Sequence, residues 1–107
     1  MKPMIATLEK LLDGPRDGAM LRFSLGNAWL AEDVVKAISF FRESLGFDPN
    51  YSAAWKGLGN ALTQAGQLAE ALEAYQRGIE VAERRGDLQA AKEMKVFARR
   101  VEKNLAG

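Results

Sequence analysis

The four residues Leu25-Gly26-Asn27-Ala28 return as Leu58-Gly59-Asn60-Ala61, 33 positions later. Further along, Ala37 and Phe41 return as Ala71 and Tyr75, now 34 positions later. A chain of 107 residues that repeats itself at this period has few choices of fold. A unit of this length holds two helices but cannot bury their apolar faces alone, so the units must stack and share one core. The change of offset locates a missing residue. "WLAEDVVKA" stands against "LTQAGQLAEA", and the first copy has no counterpart of Gly66. Turns absorb length changes that helices cannot, so this stretch is expected to be a turn.

The residues that recur have physical work to do. Gly26 and Gly59 fall mid-helix, where glycine costs about 1 kcal/mol relative to alanine. Such a cost is tolerable where a neighbouring helix packs against bare backbone, and Ala37 and Ala71 serve the same close approach. Trp55 and Tyr75 supply bulk to fill the space between helices. The second copy reads Trp55-x2-Leu58-Gly59-x2-Leu62, then Ala71-x3-Tyr75. The first reads Arg22-x2-Leu25-Gly26-x2-Trp29, then Ala37-x3-Phe41, then Pro49. This pattern resembles the tetratricopeptide repeat, W-x2-L-G-x2-Y followed by A-x3-F and P. The departures are Arg22 in the tryptophan place, the shortened turn, and Glu83 where a second proline is due. The resemblance implies an all-α fold, a short right-handed α-solenoid of antiparallel helix pairs with about six helices.

Punctuation along the chain divides it into helices. Met4, Ile5, Leu8, Leu11 and Leu12 make an apolar stripe from about Pro3 to Asp13, ended by Gly14-Pro15. Asp17, Asp33, Ser52 and Asp87 are candidate N-caps for later helices. Gly46, Gly66 and Gly86 are candidate terminators. In the last helix Ala90, Met94, Phe97, Val101 and Leu105 are predicted to form one continuous apolar face. The chain is therefore expected to be a single domain. It comprises an N-terminal helix within residues 1–15, repeats at 17–50 and 51–86, and a capping helix at 87–107.

Composition excludes several functions. There is no histidine and no cysteine, which removes the usual zinc ligands, thiolate chemistry and disulfides. The carboxylates are scattered over predicted helix surfaces with no motif pairing them, so an enzyme is not expected, nor a metal or other cofactor. "DGPRDG" and "KGLGN" lack the preceding strand and the Lys-Ser/Thr ending of a phosphate loop. No apolar run is long enough for a membrane span. The opening "MKPMIATLEKLL" carries Glu and Lys within its apolar pattern and no small-residue cleavage site, which argues against a signal peptide. A cytoplasmic location is expected.

Charge is uneven. Residues 1–83 carry 8 basic and 11 acidic side chains, whereas residues 84–107 carry 7 basic and 3 acidic. The family resemblance implies that the first helix of each pair lines a concave groove for a peptide or partner segment. Carried onto this chain, it places Asn27, Lys56 and Asn60 in that groove. Lys92, Lys95 and Arg99 of the last helix are expected in or beside it. Together they predict a polar, positive floor suited to an acidic peptide. Some family members hold an acidic C-terminal tail with a clamp of lysines, asparagines and an arginine. Only Asn27 and, approximately, Lys92 match that clamp; Phe23, Gly57 and Leu88 occupy other clamp places, so chaperone-tail binding is not predicted. The expected partner is a protein or peptide. Two alternatives compete: self-association through an exposed side chain such as Val96, giving a homo-oligomer, and nucleic-acid contact through the basic last helix. Glu93 and Glu102 interrupt that helix and no recognition motif accompanies it, so nucleic acid is not expected.

Overall fold

A computed structural model describes residues 2–107, with side chains from residue 4 onward. The described residues form α1 (Lys2–Glu9), α2 (Ala19–Trp29), α3 (Val34–Phe47), α4 (Ser52–Gln64), α5 (Leu68–Arg84) and α6 (Leu88–Ala106), with no strand among them. The all-α expectation holds, and the helices pair as the repeat requires: α2 with α3, α4 with α5.

Helix ends follow local chemistry. The Asp33 carboxylate accepts from the N–H groups of Val35 at 3.1 Å and Lys36 at 3.2 Å, satisfying two orphan donors of α3. Asp87 does the same for Ala90 in α6 at 3.2 Å. Two expected caps do not form. Ser52 is the first residue of α4, behind an N-cap Tyr51 whose side chain makes no capping bond. Asp17 is not the cap of α2, which starts after Gly18; its carboxylate is turned to Arg22 instead. Gly66 and Gly86 take left-handed conformations, φ +79° and +75°, and close α4 and α5. The residue after each donates back to the helix, Gln67 to the Leu62 carbonyl at 2.9 Å and Asp87 to Ala82 at 2.8 Å. The α2–α3 turn contains no positive φ, so it needs no glycine. That explains the missing counterpart of Gly66. At the other helix ends the expectations shift by a few residues: α1 stops at Glu9, short of Asp13, and α3 runs through Gly46 to Phe47.

The repeated glycines are seats for aromatic rings. Phe41 is fully buried. A Cβ on Gly26 would lie 2.7 Å from its ring, and one on Gly57 2.5 Å. One turn of the stack further, a Cβ on Gly59 would lie 2.6 Å from Cδ1 of the Tyr75 ring, and one on Gly78 2.5 Å from Met94 Sδ. Each aromatic or thioether of one helix thus lies on the bare backbone of another. The seam of α6 corrects the sequence expectation. The buried residues are Ala91, Met94, Ala98 and Val101, while Ala90 and Phe97 are only partly covered and Leu105 is 47% exposed. Small residues occupy the seam because α6 lies close enough to α5 to seat Met94 on Gly78.

Arg22, in the place a repeat gives to tryptophan, is held by carboxylates. It forms ion pairs with Asp17 (2.5 Å) and Glu43 (2.6 Å), and a longer one with Asp13 (3.6 Å). The cluster ties the α1–α2 turn to α3. With Arg22 15% and Asp17 8% exposed, solvent screens the pair weakly. Hydrogen bonding from the guanidinium and from the Asp13 N–H lowers the Asp17 carboxyl to about 2. A depressed carboxylate contributes stability that is complete above the ordinary carboxylate range and lost as pH falls toward the folded-state value. The midpoint of thermal unfolding is therefore expected to fall between about pH 5 and pH 2, and Asp17→Asn to flatten that fall while lowering the neutral-pH midpoint. A variant with the wild-type acid profile would remove Asp17 from the account.

Candidate functional site

Helices α2, α4 and α6 form one layer, in which α2 touches α4 and α4 touches α6. On the other side the backbones of α3 and α5 do not approach. A stack that is close on one side and splayed on the other is concave on the close side. The concave face is thus the α2/α4/α6 face, and α4 lies at its centre.

Lys56 and Asn60 lie on α4 in this face, but neither is a free group. The Lys56 ammonium donates to Glu93 Oε1 of α6 at 2.7 Å. Gln89 donates to the other oxygen of that carboxylate at 3.3 Å. The Lys56 hydrogen bond, with a smaller contribution from Gln89, holds the Glu93 carboxyl below its ordinary range. Asn60 accepts the Tyr75 hydroxyl hydrogen on Oδ1 at 2.6 Å, which leaves its amide nitrogen as the group it can offer a ligand. Beside Asn60 a cleft of about 280 Å³ opens between α4 and α6, lined by Thr63, Tyr75, Phe97, Arg100, Val101 and Asn104.

The other expected residues are distributed around this cleft. Asn27 is exposed on α2, at the place Asn60 holds on α4, and α2 does not touch α6. Lys95 leaves the face altogether: its ammonium donates to Glu83 of α5 at 2.8 Å. Glu83, in the proline place, is thus a tether between the last two helices. Lys92 and Arg99 are exposed. They share a stripe with Val96 and Lys103, turned away from the Ala91–Val101 seam and one residue round from the cleft. The residues of α6 that do face α4 are Glu93, Phe97, Arg100 and Asn104. Sequence analysis missed Arg100 and Asn104 and placed Phe97 in the core. The signal was the alanine pair, Ala91 and Ala98: a seam drawn through these small residues turns Arg100 toward α4. Val96 is 40% exposed but stands among like charges, which disfavours it as a contact between two copies.

Two expected clamp places are blocked by packing. Phe23 stacks on Tyr51 and Phe41, with ring centroids 5.1 and 5.9 Å away. Gly57 lies beneath the Phe41 ring, leaving no room for any side chain.

On the opposite side a concavity of about 530 Å³ lies between the α3–α4 turn and α5. Its floor includes Trp55, whose indole N–H donates to the Pro49 carbonyl at 2.8 Å. A smaller cleft of about 200 Å³ shares Trp55, Glu73 and Arg77 with it and reaches Arg42 and Glu70. Much of the charge here is internally matched: Arg42 pairs with Glu70 at 2.9 Å and Arg77 with Glu73 at 3.9 Å.

Comparison with known proteins gives a consistent picture. The tetratricopeptide repeat family model matches residues 28–94. A TPR repeat-containing protein of Pseudomonas aeruginosa is 45% identical over 101 residues, covering 94% of this chain and 96% of that protein. The solution structure of a Bordetella parapertussis protein superposes with a TM-score of 0.83 at 39% identity, over 97% of this chain and 91% of that one. The first TPR of Spaghetti (RPAP3), bound to the HSP90 peptide SRMEEVD, shares the fold. It has a TM-score of 0.80 at 21% identity, over 96% of this chain and 78% of that one.

Proposed function

The chain belongs to the tetratricopeptide repeat family, and from that premise we propose that it is a non-enzymatic module holding a peptide or extended partner segment in its α2/α4/α6 groove. The observation that carries this reading is the cleft beside Asn60 on the concave face: its walls are mainly apolar and aromatic, and the Asn60 amide nitrogen and the Arg100 guanidinium that border it have no acceptor among the described residues. The peptide-bound Spaghetti domain supports it by its shape, and the peptide there is acidic. Asn27 and Asn60 repeat along the groove at matching places and serve peptide groups of any sequence. Lys92 and Arg99, on the outer stripe of α6, add long-range attraction for an acidic segment, which salt screens beyond about 8–10 Å. No helix among the described residues is long and apolar enough to cross a membrane. The absence of cysteine suits a reducing compartment, and we propose a cytoplasmic location.

The test is capture of a natural partner by three purified chains. The Asn27→Ala/Asn60→Ala double variant is expected to bind the captured partner about tenfold more weakly than wild type, for the loss of two hydrogen bonds. Glu73→Ala/Arg77→Ala, on the opposite face, is expected to bind as wild type does. The reverse result would move the partner to the Trp55 side.

A further inference from the structure

Within the reading of the α2/α4/α6 groove as the binding face, we propose that the α4–α6 cleft is a carboxylate subsite. Arg100, Asn60 and Asn104 receive a carboxylate of the bound peptide, and Phe97 and Tyr75 pack the apolar side chain next to it. The groove has two cations, and they are not equivalent. Lys56 is occupied by Glu93, a carboxylate fixed on α6 and steadied by Gln89. A ligand anion at that end would have to displace Glu93 and then sit beside it. Arg100 pairs with no carboxylate among the described residues; it lies over the Phe97 ring, 5.8 Å from its centroid. Like charge therefore excludes an anion from the Lys56 end and an unpaired guanidinium admits it at the Arg100 end.

The hydrogen-bond inventory identifies the donors. Tyr75 has taken the Asn60 acceptor, so Asn60 presents N–H donors to the cleft. The hydroxyl hydrogens of Thr63 and Tyr75 are spent on the Gly59 carbonyl, at 2.8 Å, and on Asn60, so the nitrogen donors of Asn60, Asn104 and Arg100 receive the carboxylate and these hydroxyls do not. A peptide carbonyl would satisfy Asn60 equally well, but a carboxylate adds charge-assisted bonds to Arg100. The remaining wall is apolar or aromatic. Phe97 and Tyr75 stand with centroids 5.8 Å apart over Val101. The cleft fits a carboxylate with an aliphatic neighbour. That carboxylate can come from an acidic side chain or from a chain terminus.

Nuclear magnetic resonance titration of the full chain separates these cases. Three hexapeptide probes are used: one blocked at both ends with a single glutamate beside a leucine, its glutamine counterpart, and the glutamine peptide with a free C-terminus. The glutamate probe is expected to shift the side-chain amides of Asn60 and Asn104 and to bind about tenfold more tightly than the blocked glutamine probe. Tight binding of the free-terminus probe would extend the same subsite to chain ends. Arg100→Gln is expected to abolish the preference for carboxylate, and Lys92→Gln to leave it intact. A preference unchanged in Arg100→Gln, with shifts spread along Asn27 and Lys56, would overturn the subsite and keep the groove. Shifts confined to residues around Trp55 would overturn both. Absence of any shift at millimolar probe would also overturn the subsite.

Discussion

A chain ending at Asp87 is expected to lose cooperative unfolding. Helix α6 packs along α5 as α3 packs along α2 and α5 along α4. Its removal takes away Met94 and Val101, 0% and 2% exposed, along with the close-packed Ala91 and Ala98. It also uncovers the bare backbone at Gly78 and the Tyr75 ring that Phe97 adjoins. Each fully buried side chain of methionine or valine size contributes about 1.5–3 kcal/mol. Counting both sides of the interface, the loss is comparable with the ~5–15 kcal/mol total of an ordinary domain. Urea unfolding followed by circular dichroism is expected to show a broad, sloping transition with aggregation in place of one sigmoid. Leu105→Ala in the full chain provides the contrast. Because that side chain is 47% exposed, its loss is expected to stay within about 0.5 kcal/mol. A 1–87 fragment with the full chain's midpoint and slope would make α6 an appendage.

How far the sequence discloses this molecule differs between fold and site. The repeat was legible because it rests on residues with one use: a glycine beneath a ring and a glycine at a left-handed turn. Gly26 and Gly59 were visible as a repeated pair. Gly57 and Gly78 do the same work without an internal counterpart, and only packing reveals them. Caps were legible where an aspartate had no stronger partner, as at Asp33 and Asp87. Asp17 was not, because an arginine five residues on competes for the same carboxylate and wins by charge.

The groove was harder to read because its content depends on the rotation of one helix. Large apolar side chains suggest the seam of α6, yet the seam uses alanines so that the backbones can approach. A rotation of that stripe by one residue exchanges Lys92 and Arg99 for Glu93 and Arg100, and a uniformly positive floor becomes a neutralised end and a free one. Ion pairing adds a second obscurity. Lys56 and Lys95 look alike in the sequence, but one crosses the groove to Glu93 and the other ties α6 to α5 through Glu83. No spacing rule distinguishes them, since each partner lies on a different helix.

Phe41 and Gly57 offer the largest single-residue effects, and they are expected to be coupled. Phe41→Ala removes a fully buried ring at the junction of α2, α3 and α4, which costs about 3–5 kcal/mol in a core that relaxes only in part. Gly57→Ala places a methyl where the ring already stands, at an overpacking cost of about 1–3 kcal/mol. Part of that cost is returned by the ~1 kcal/mol by which alanine exceeds glycine in helix propensity. Gly46 separates the two contributions to the second variant. It lies within α3, and a Cβ there meets nothing within 4 Å. Gly46→Ala is therefore expected to show the propensity gain alone and stabilise by up to ~1 kcal/mol. In the double variant Phe41→Ala/Gly57→Ala the clash is gone and the methyl fills part of the vacated space. The two changes should fall short of additivity by about 1–3 kcal/mol, as residues in direct contact do. Chemical denaturation of the four chains of this cycle measures the coupling. Additive losses would mean that the ring does not lie on Gly57, and the seat of aromatic on glycine that sets the repeat's register would have to be sought elsewhere.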